Sequence, residues 1–282
     1  MRISALITAL FERCGKPNIS KRHIACRKVL KMNIQWDAEK YTDDFSFVHR
    51  YGDGVTGLLE NQENMTVLDL GCGNGALTEK LSQTCARAIG LDASAELLKI
   101  ARRKYPDLKF IQADATNFEL PGPVDAIFSN AVFHWVDAAK QPDMLRCVYR
   151  ALKPGGQFVF EFGGCGNNRL IHMALEEAFA KRGLPYRMPF YFPTIGAYSA
   201  LLEQAGFKVV SMTLFDRVTE LKGPDGLADW IRLFVKRPFG ELSEDTRREI
   251  VEEAVNALKK DLYRSGVWFA DYVRLRGKAL KA

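Results

Sequence analysis

"VLDLGCGNG", residues 67–75, decides how the chain is read. A short apolar run stops at Asp69, and glycines follow at alternating positions, Gly71, Gly73 and Gly75. Glycines let a backbone turn tightly and pass close to a neighbour, and here a carboxylate stands just before them. Outward from this stretch, short apolar strands alternate with helices. "MTVLDL", "RAIGLD", "LKFIQAD", "VDAIFSN" and "QFVFEF" read as strands. "ALTEKLSQ" and "SAELLKIARRKY" read as helices, the second opened by Ser94 as N-cap, with Leu97, Leu98 and Ala101 on one face. "DMLRCVYRALKPGG" is a helix halted by Pro154 and two glycines, with "KPGG" a turn. Strands separated by helices predict a parallel sheet covered on both faces, a doubly wound, Rossmann-like α/β domain.

After residue 166 the rhythm changes. Helical segments flank the Pro- and aromatic-rich loop "LPYRMPFYFP", and "FKVVSMTLF" reads as a strand. Two helices are predicted over 225–237 and 243–262, the second with Ile250, Val251, Ala254, Val255 and Leu258 as its apolar face. The closing "DYVRLRGKAL" alternates Val273, Leu275, Gly277 and Ala279 against a polar side of Tyr272, Arg274, Arg276 and Lys278. It is expected to be a C-terminal antiparallel strand. The helices of about 225–262 then interrupt the last pair of strands and form a cap over the ligand edge.

Of the 282 residues, 47% are hydrophobic and 26% charged, the balance of a soluble globular protein. The net charge of +6 belongs to the leader. Residues 1–31 hold eight Lys or Arg and one acid, Glu12, leaving 32 basic against 33 acidic residues in the body. Charge therefore makes no case for nucleic acid, and no apolar run is long enough to imply a membrane. Six scattered cysteines form no CxxC pair and no cluster at metal spacing, so free thiols in a reducing compartment are expected, and no metal. The leader is expected to be disordered or to precede the true start at Met32, where globular-looking sequence opens with "MNIQWDAEKY". On that reading the protein is cytoplasmic; a mitochondrial presequence is the alternative in a eukaryote.

In an open parallel sheet, ligands sit beyond the carboxyl ends of the strands. Three of those ends carry Asp69, Asp92 and Asp114, and the fourth carries Asn130. A dinucleotide enzyme would present its glycine loop to a pyrophosphate, but its motif is GxGxxG, whereas this one is GxGxG. Asp69 would also repel a pyrophosphate and attract an ammonium. A ligand with an ammonium, a ribose, an adenine and no phosphate fits better, and S-adenosylmethionine is that ligand.

In order along the chain, "VLDLGCGNG", "GLDAS", "QADATNF", "VDAIFSNAVFHWV" and "LKPGGQFVFEF" resemble the class I S-adenosylmethionine-dependent methyltransferases over roughly residues 33–282. "WDAEKY", "HW", "YFP", "DRVTEL", "LADWI" and "DYVRLR" resemble the trans-aconitate methyltransferase-like group. The resemblance implies that Asp69, Gly71, Gly73, Gly75 and Asn130 surround the methionine part of the cofactor. It implies that Asp92, beside Ala93, binds the ribose hydroxyls, and that Asp114 and Ala115 meet the adenine. Trp36 and Tyr41 would close over the cofactor. Because Ser94 caps the helix behind it, Asp92 is expected to be free for this task.

The partner implied is a small-molecule methyl acceptor, with O-methylation of a carboxylate preferred. N- or C-methylation of another metabolite, esterification of a carrier-bound acyl group, and non-catalytic cofactor binding are the alternatives. His134 is the candidate general base, required for an amine or phenol and dispensable for an already ionised carboxylate. Trp135, Arg187 and Arg237 are the candidate acceptor-binding residues, the arginines matching a carboxylate bidentately.

Overall fold

The structure is a computed structural model that describes residues 53–282. Its sheet has eight strands. β1 (Thr66–Leu70), β2 (Arg87–Asp92), β3 (Lys109–Gln112), β4 (Val124–Asn130) and β5 (Leu152–Gly163) are parallel to their neighbours in the order β3-β2-β1-β4-β5. β6 (Phe207–Leu221), the two-residue β7 (Tyr263–Arg264) and β8 (Val267–Lys281) complete it. β8 lies antiparallel between β5 and β6. The order reverses between β1 and β4, the place where an open sheet leaves a crevice at its carboxyl edge.

Helices cover both faces. On one side, α1 (Ala76–Ser82) and α2 (Ala95–Lys104) bury Leu77, Leu81, Leu98 and Ala101. On the other, α3 (Gln141–Ala151) and α5 (Ile195–Gln204) pack Met144, Leu145, Val148, Tyr198 and Leu202 on Phe158, Phe160 and Phe162 of β5. Ser94 caps α2, its Oγ accepting from the Leu97 N–H at 3.2 Å. "KPGG" lies inside the span of β5 rather than ending a helix. Leu152 pairs with Val124 and Gln157 with Ala126, so residues 153–156 bulge out with Gly155 at φ +73°.

The β6–β8 pair overhangs the parallel strands. β5 ends where Gly163 meets Arg274, yet β8 continues to pair with β6 back to Trp268. Between them come α6 (Gly226–Phe234) and α7 (Glu244–Leu262), and before them α4 (Arg169–Ala180). These three helices share one apolar cluster with Trp268, Ala270 and Tyr272 of the overhang. A wall thus stands beyond the carboxyl edge on one side of the crevice. Among the described residues, no helix is long and apolar enough to cross a membrane.

Candidate functional site

The glycine loop leaves β1 with Gly71 at φ +80°, Gly73 at +53° and Gly75 at +82°, a left-handed region that costs an L side chain about 1–2 kcal/mol. Their surroundings separate them. A Cβ on Gly71 would stand 2.2 Å from Val132, and one on Gly75 would stand 2.8 Å from the Phe110 ring. At Gly73 the nearest atom among the described residues is Leu97 Cδ1 at 3.9 Å, an ordinary contact distance, so no described neighbour crowds it.

Asp69 is 2% exposed, and Thr78 donates its hydroxyl to Oδ2 at 2.6 Å. Burial raises its pKa to about 7, against the Thr78 bond and helped by the nearby Asp92 charge. Burial raises Asp92 as well. Asp92 is less free than the sequence implies. Ser94 does cap α2, but Asp92 Oδ2 accepts the Gly73 N–H at 2.9 Å and Oδ1 accepts the Ser94 N–H at 2.8 Å. It braces the glycine loop and keeps its remaining lone pairs for a ligand. Asp114 Oδ1 accepts from the Thr116 N–H and hydroxyl, both at 2.8 Å, closing a local turn. Ala93 and Ala115 are half-buried beside these carboxylates.

This donor set fits the cofactor implied by the sequence. The buried Asp69 and the half-buried Asp92, neither in an ion pair among the described residues, stand beside the glycine loop. Such a site suits a cationic ligand and disfavours a pyrophosphate. Trp36 and Tyr41 lie outside the described residues.

At the end of β4, Asn130 is 9% exposed, and Ala131 adopts φ +60° with its N–H bonded to Glu161 O at 2.7 Å. This turn opens into a cavity. Ala131, His134, Trp135, Asn167, Asn168 and Arg274 line it, with the rings of Phe190, Phe192, Trp230, Phe234 and Tyr272. Trp135, a candidate acceptor-binding residue from the sequence, is in this lining.

His134 is not arranged as a general base. It is 8% exposed, and Nδ1 accepts the Gly163 N–H at 3.3 Å. Burial, with the Arg274 guanidinium adding, holds the ring well below the usual imidazole range. A neutral ring with Nδ1 accepting carries its proton on Nε2, which makes it a donor. Asn167 is fixed in the same sense. Its Oδ1 accepts the Val273 N–H at 2.9 Å, leaving the amide NH₂ as the group available to a ligand.

Arg187 and Arg237 do not line the cavity. Arg187 is exposed on the 185–193 loop, and Arg237 reaches Asp137 at 3.0 Å on the surface. The cavity's cation is Arg274 of β8, 6% exposed and 4.5 Å above the Tyr272 ring. Nor does the whole 225–262 segment reach the site: α6 contributes Trp230 and Phe234, and α7 packs behind it. The weak sequence marks "YFP", "LADWI" and "DYVRLR" supply Phe192, Trp230, Tyr272 and Arg274. They were the available signal for this wall.

Comparison with known proteins agrees with this architecture. A family described as a methyltransferase domain matches residues 67–156. An uncharacterised methyltransferase of Schizosaccharomyces pombe is 30% identical over 262 residues, covering 87% of this chain and 98% of its own length. The trans-aconitate 2-methyltransferase of Rhodopseudomonas palustris BisB18 is 36% identical over 218 residues, covering 72% and 81%. A putative methyltransferase of Bacillus halodurans shares the fold, with a TM-score of 0.58 at 17% identity over 81% of this chain and 97% of its own. With its glycine loop, its carboxylate-tipped strands and these relatives, the chain belongs to the class I S-adenosylmethionine-dependent methyltransferases.

Proposed function

We propose that the protein transfers the methyl group of S-adenosylmethionine to an oxygen of a small-molecule carboxylate. One observation carries the choice of acceptor: a guanidinium lines the cavity and, among the described residues, no carboxylate does. His134 offers Nε2–H, Asn167 its amide NH₂, and Arg274 a guanidinium, while no carboxylate among the described residues lines the cavity. A guanidinium with no carboxylate beside it favours an anion, while Asn168 Oδ1, buried without a hydrogen-bond partner among the described residues, adds an acceptor to the lining. The trans-aconitate methyltransferases among the relatives act on such an acid, which favours the same reading.

The bound cofactor supplies an electrophilic methyl group. Asp69, Asp92 and Asp114 hold it, with Gly73 leaving room. The acceptor carboxylate, with a pKa near roughly 4, is ionised at neutral pH and attacks in line without a base. His134, Asn167 and Arg274 hold it in place, and the aromatic wall keeps water out. A neutral His134 that only donates implies a rate that does not titrate near pH 6.5. We expect kcat/KM for carboxylic acids to be level from about pH 6 to 9 once cofactor is saturating. Arg274→Met removes a charge-assisted contact of about 1.5–3 kcal/mol, so it should raise the acceptor KM about 10–100-fold and leave cofactor affinity unchanged. Demethylated-cofactor release is measured with a panel of acids against the matching amines. Turnover of amines and of none of the acids would overturn the proposal.

A further inference from the structure

Asn168 opens α4 without capping it. Asparagine is among the preferred residues at a helix start, because its side-chain oxygen can take an N–H of the first turn. Here its backbone is left-handed, at φ +54°, and the side chain makes no capping bond. Asp271 of β8 caps the helix instead, its Oδ2 accepting the Leu170 N–H at 2.8 Å. The Asn168 backbone is held on both sides. Its N–H donates to Asp271 O at 2.9 Å, and its C=O accepts the His172 N–H at 3.0 Å.

The residue so fixed is 2% exposed and lines the cavity, and its Oδ1 has no hydrogen-bond partner among the described residues. Buried polar atoms are nearly always paired, and one left unpaired forfeits its hydration without return. Asp271 Oδ1 and His172 Nε2 are unpartnered nearby, but neither residue lines the cavity.

A group that pairs with an amide oxygen must donate a proton. An ammonium is disfavoured, since no carboxylate among the described residues lines the cavity to balance it. The donor is therefore neutral. Asn167, the adjoining residue in the lining, has its Oδ1 on the Val273 N–H and presents its NH₂. A hydroxyl can give a hydrogen bond to one amide and take one from the other.

Resting on the carboxylate reading above, we infer that the acceptor is a hydroxy acid and that Asn168 reads its hydroxyl. This departs from the acid named for the trans-aconitate relatives, which carries no hydroxyl.

The test uses the full chain and pairs of acids that differ only by a hydroxyl: malate with succinate, and 3-phenyllactate with 3-phenylpropionate. In each pair that binds, kcat/KM for the hydroxy acid should exceed that for its partner at least about tenfold. Asn168→Gly suits the left-handed backbone and removes the amide. It should bring that ratio to within about twofold of unity, with cofactor affinity unchanged, an effect that a merely structural loss would not produce. The same acids are titrated calorimetrically into wild-type protein saturated with S-adenosylhomocysteine, which reads the preference from binding alone and stands whether or not the variant folds. Equal handling of both members by the wild type overturns the hydroxy-acid inference and leaves the carboxylate reading standing. A preference that survives Asn168→Gly overturns Asn168 as its reader. If none of the acids binds, the carboxylate reading falls, and this inference with it.

Discussion

Asp69 is a carboxylate kept where its charge is disfavoured, and that has a measurable consequence. With its pKa raised from 3.8 to about 7 by burial, the folded protein holds this proton where the unfolded chain has lost it. The sign follows: Asp69 subtracts stability as pH rises from about 4 to 7 and subtracts no more above 7. A cationic ligand beside it favours the ionised form. Cofactor binding should therefore release a proton at pH 6, and affinity should rise with pH up to about 7 and then level off. Calorimetry at pH 6 and 8, in two buffers of different ionisation enthalpy, measures both effects, and Asp69→Asn should abolish them. An affinity that is flat or falls across this range would show that no cation sits at Asp69. This residue was legible in the sequence, because an acid at a strand end before glycines has few structural uses. Arg274 was not. In "DYVRLRGKAL" the polar side reads as solvated, and alternation does not distinguish a wet face from a buried charged one. The insertion of β8 between β5 and β6 pairs both its edges, and helices pack on its faces, leaving Tyr272, Arg274 and Lys278 6% exposed each.

The glycine loop shows the same limit for an element. In the sequence Gly71, Gly73 and Gly75 are equivalent, three places where a backbone comes close to something. For two of them that something is the protein itself, Val132 and Phe110, while among the described residues Gly73 meets only Leu97, at 3.9 Å. Substitution should separate the roles. Gly75→Ala adds left-handed strain of about 1–2 kcal/mol to overpacking of about 1–3 kcal/mol against Phe110, so its melting temperature should fall clearly. Gly73→Ala carries the strain without the clash. It should melt closer to wild type, yet place its methyl on the ligand side and lose more cofactor affinity than Gly75→Ala does in its folded state. Thermal melts paired with cofactor titrations decide this, and the reverse ranking would mean that the ligand side of the loop has been misidentified. Strand ends were also blurred. β6 runs through "DRVTEL" to Leu221, because the charge of Arg217 that interrupts the apolar pattern is answered by Glu161. The strand–helix units from β1 to β5 were legible because each buries a whole apolar run. The overhanging β6–β8 pair mixes buried charge with apolar residues, and its extent was not.

Across the molecule, the parallel strands carry Asp69 and Asp92 at their carboxyl ends, while β8 and the helices inserted before it carry the wall of the cavity. The two parts meet at one buried charge cluster. Glu161 of β5 is 2% exposed and receives Arg276 of β8, through Nε at 2.8 Å and Nη2 at 2.7 Å. It also receives the fork of Arg217 from β6, whose Nη2 lies at 3.1 Å, and both guanidiniums stand 5.1 Å from the Phe215 ring. Two cations on one carboxylate are held in place by that carboxylate more than by each other. Glu161→Gln would leave both guanidiniums half-buried around a neutral amide. Breaking a buried pair from one side costs about 3–5 kcal/mol, and in a domain of this size each kcal/mol moves the melting temperature by about 2–4 °C. Because the cluster lies on β5, β8 and β6, its loss should loosen the acceptor wall before the cofactor crevice of β1, β2 and β4. The expected pattern is a lower melting temperature and a raised acceptor KM, with cofactor affinity near wild type well below the melt. Replacing all three residues with Met removes the charges together, and should recover much of the lost stability, since a well-packed apolar substitute for a buried ion cluster is often neutral or better. A single Glu161→Gln variant as stable as wild type would mean that solvent screens this cluster, and that the strand pairing of β5 with β8 holds the two parts together without it.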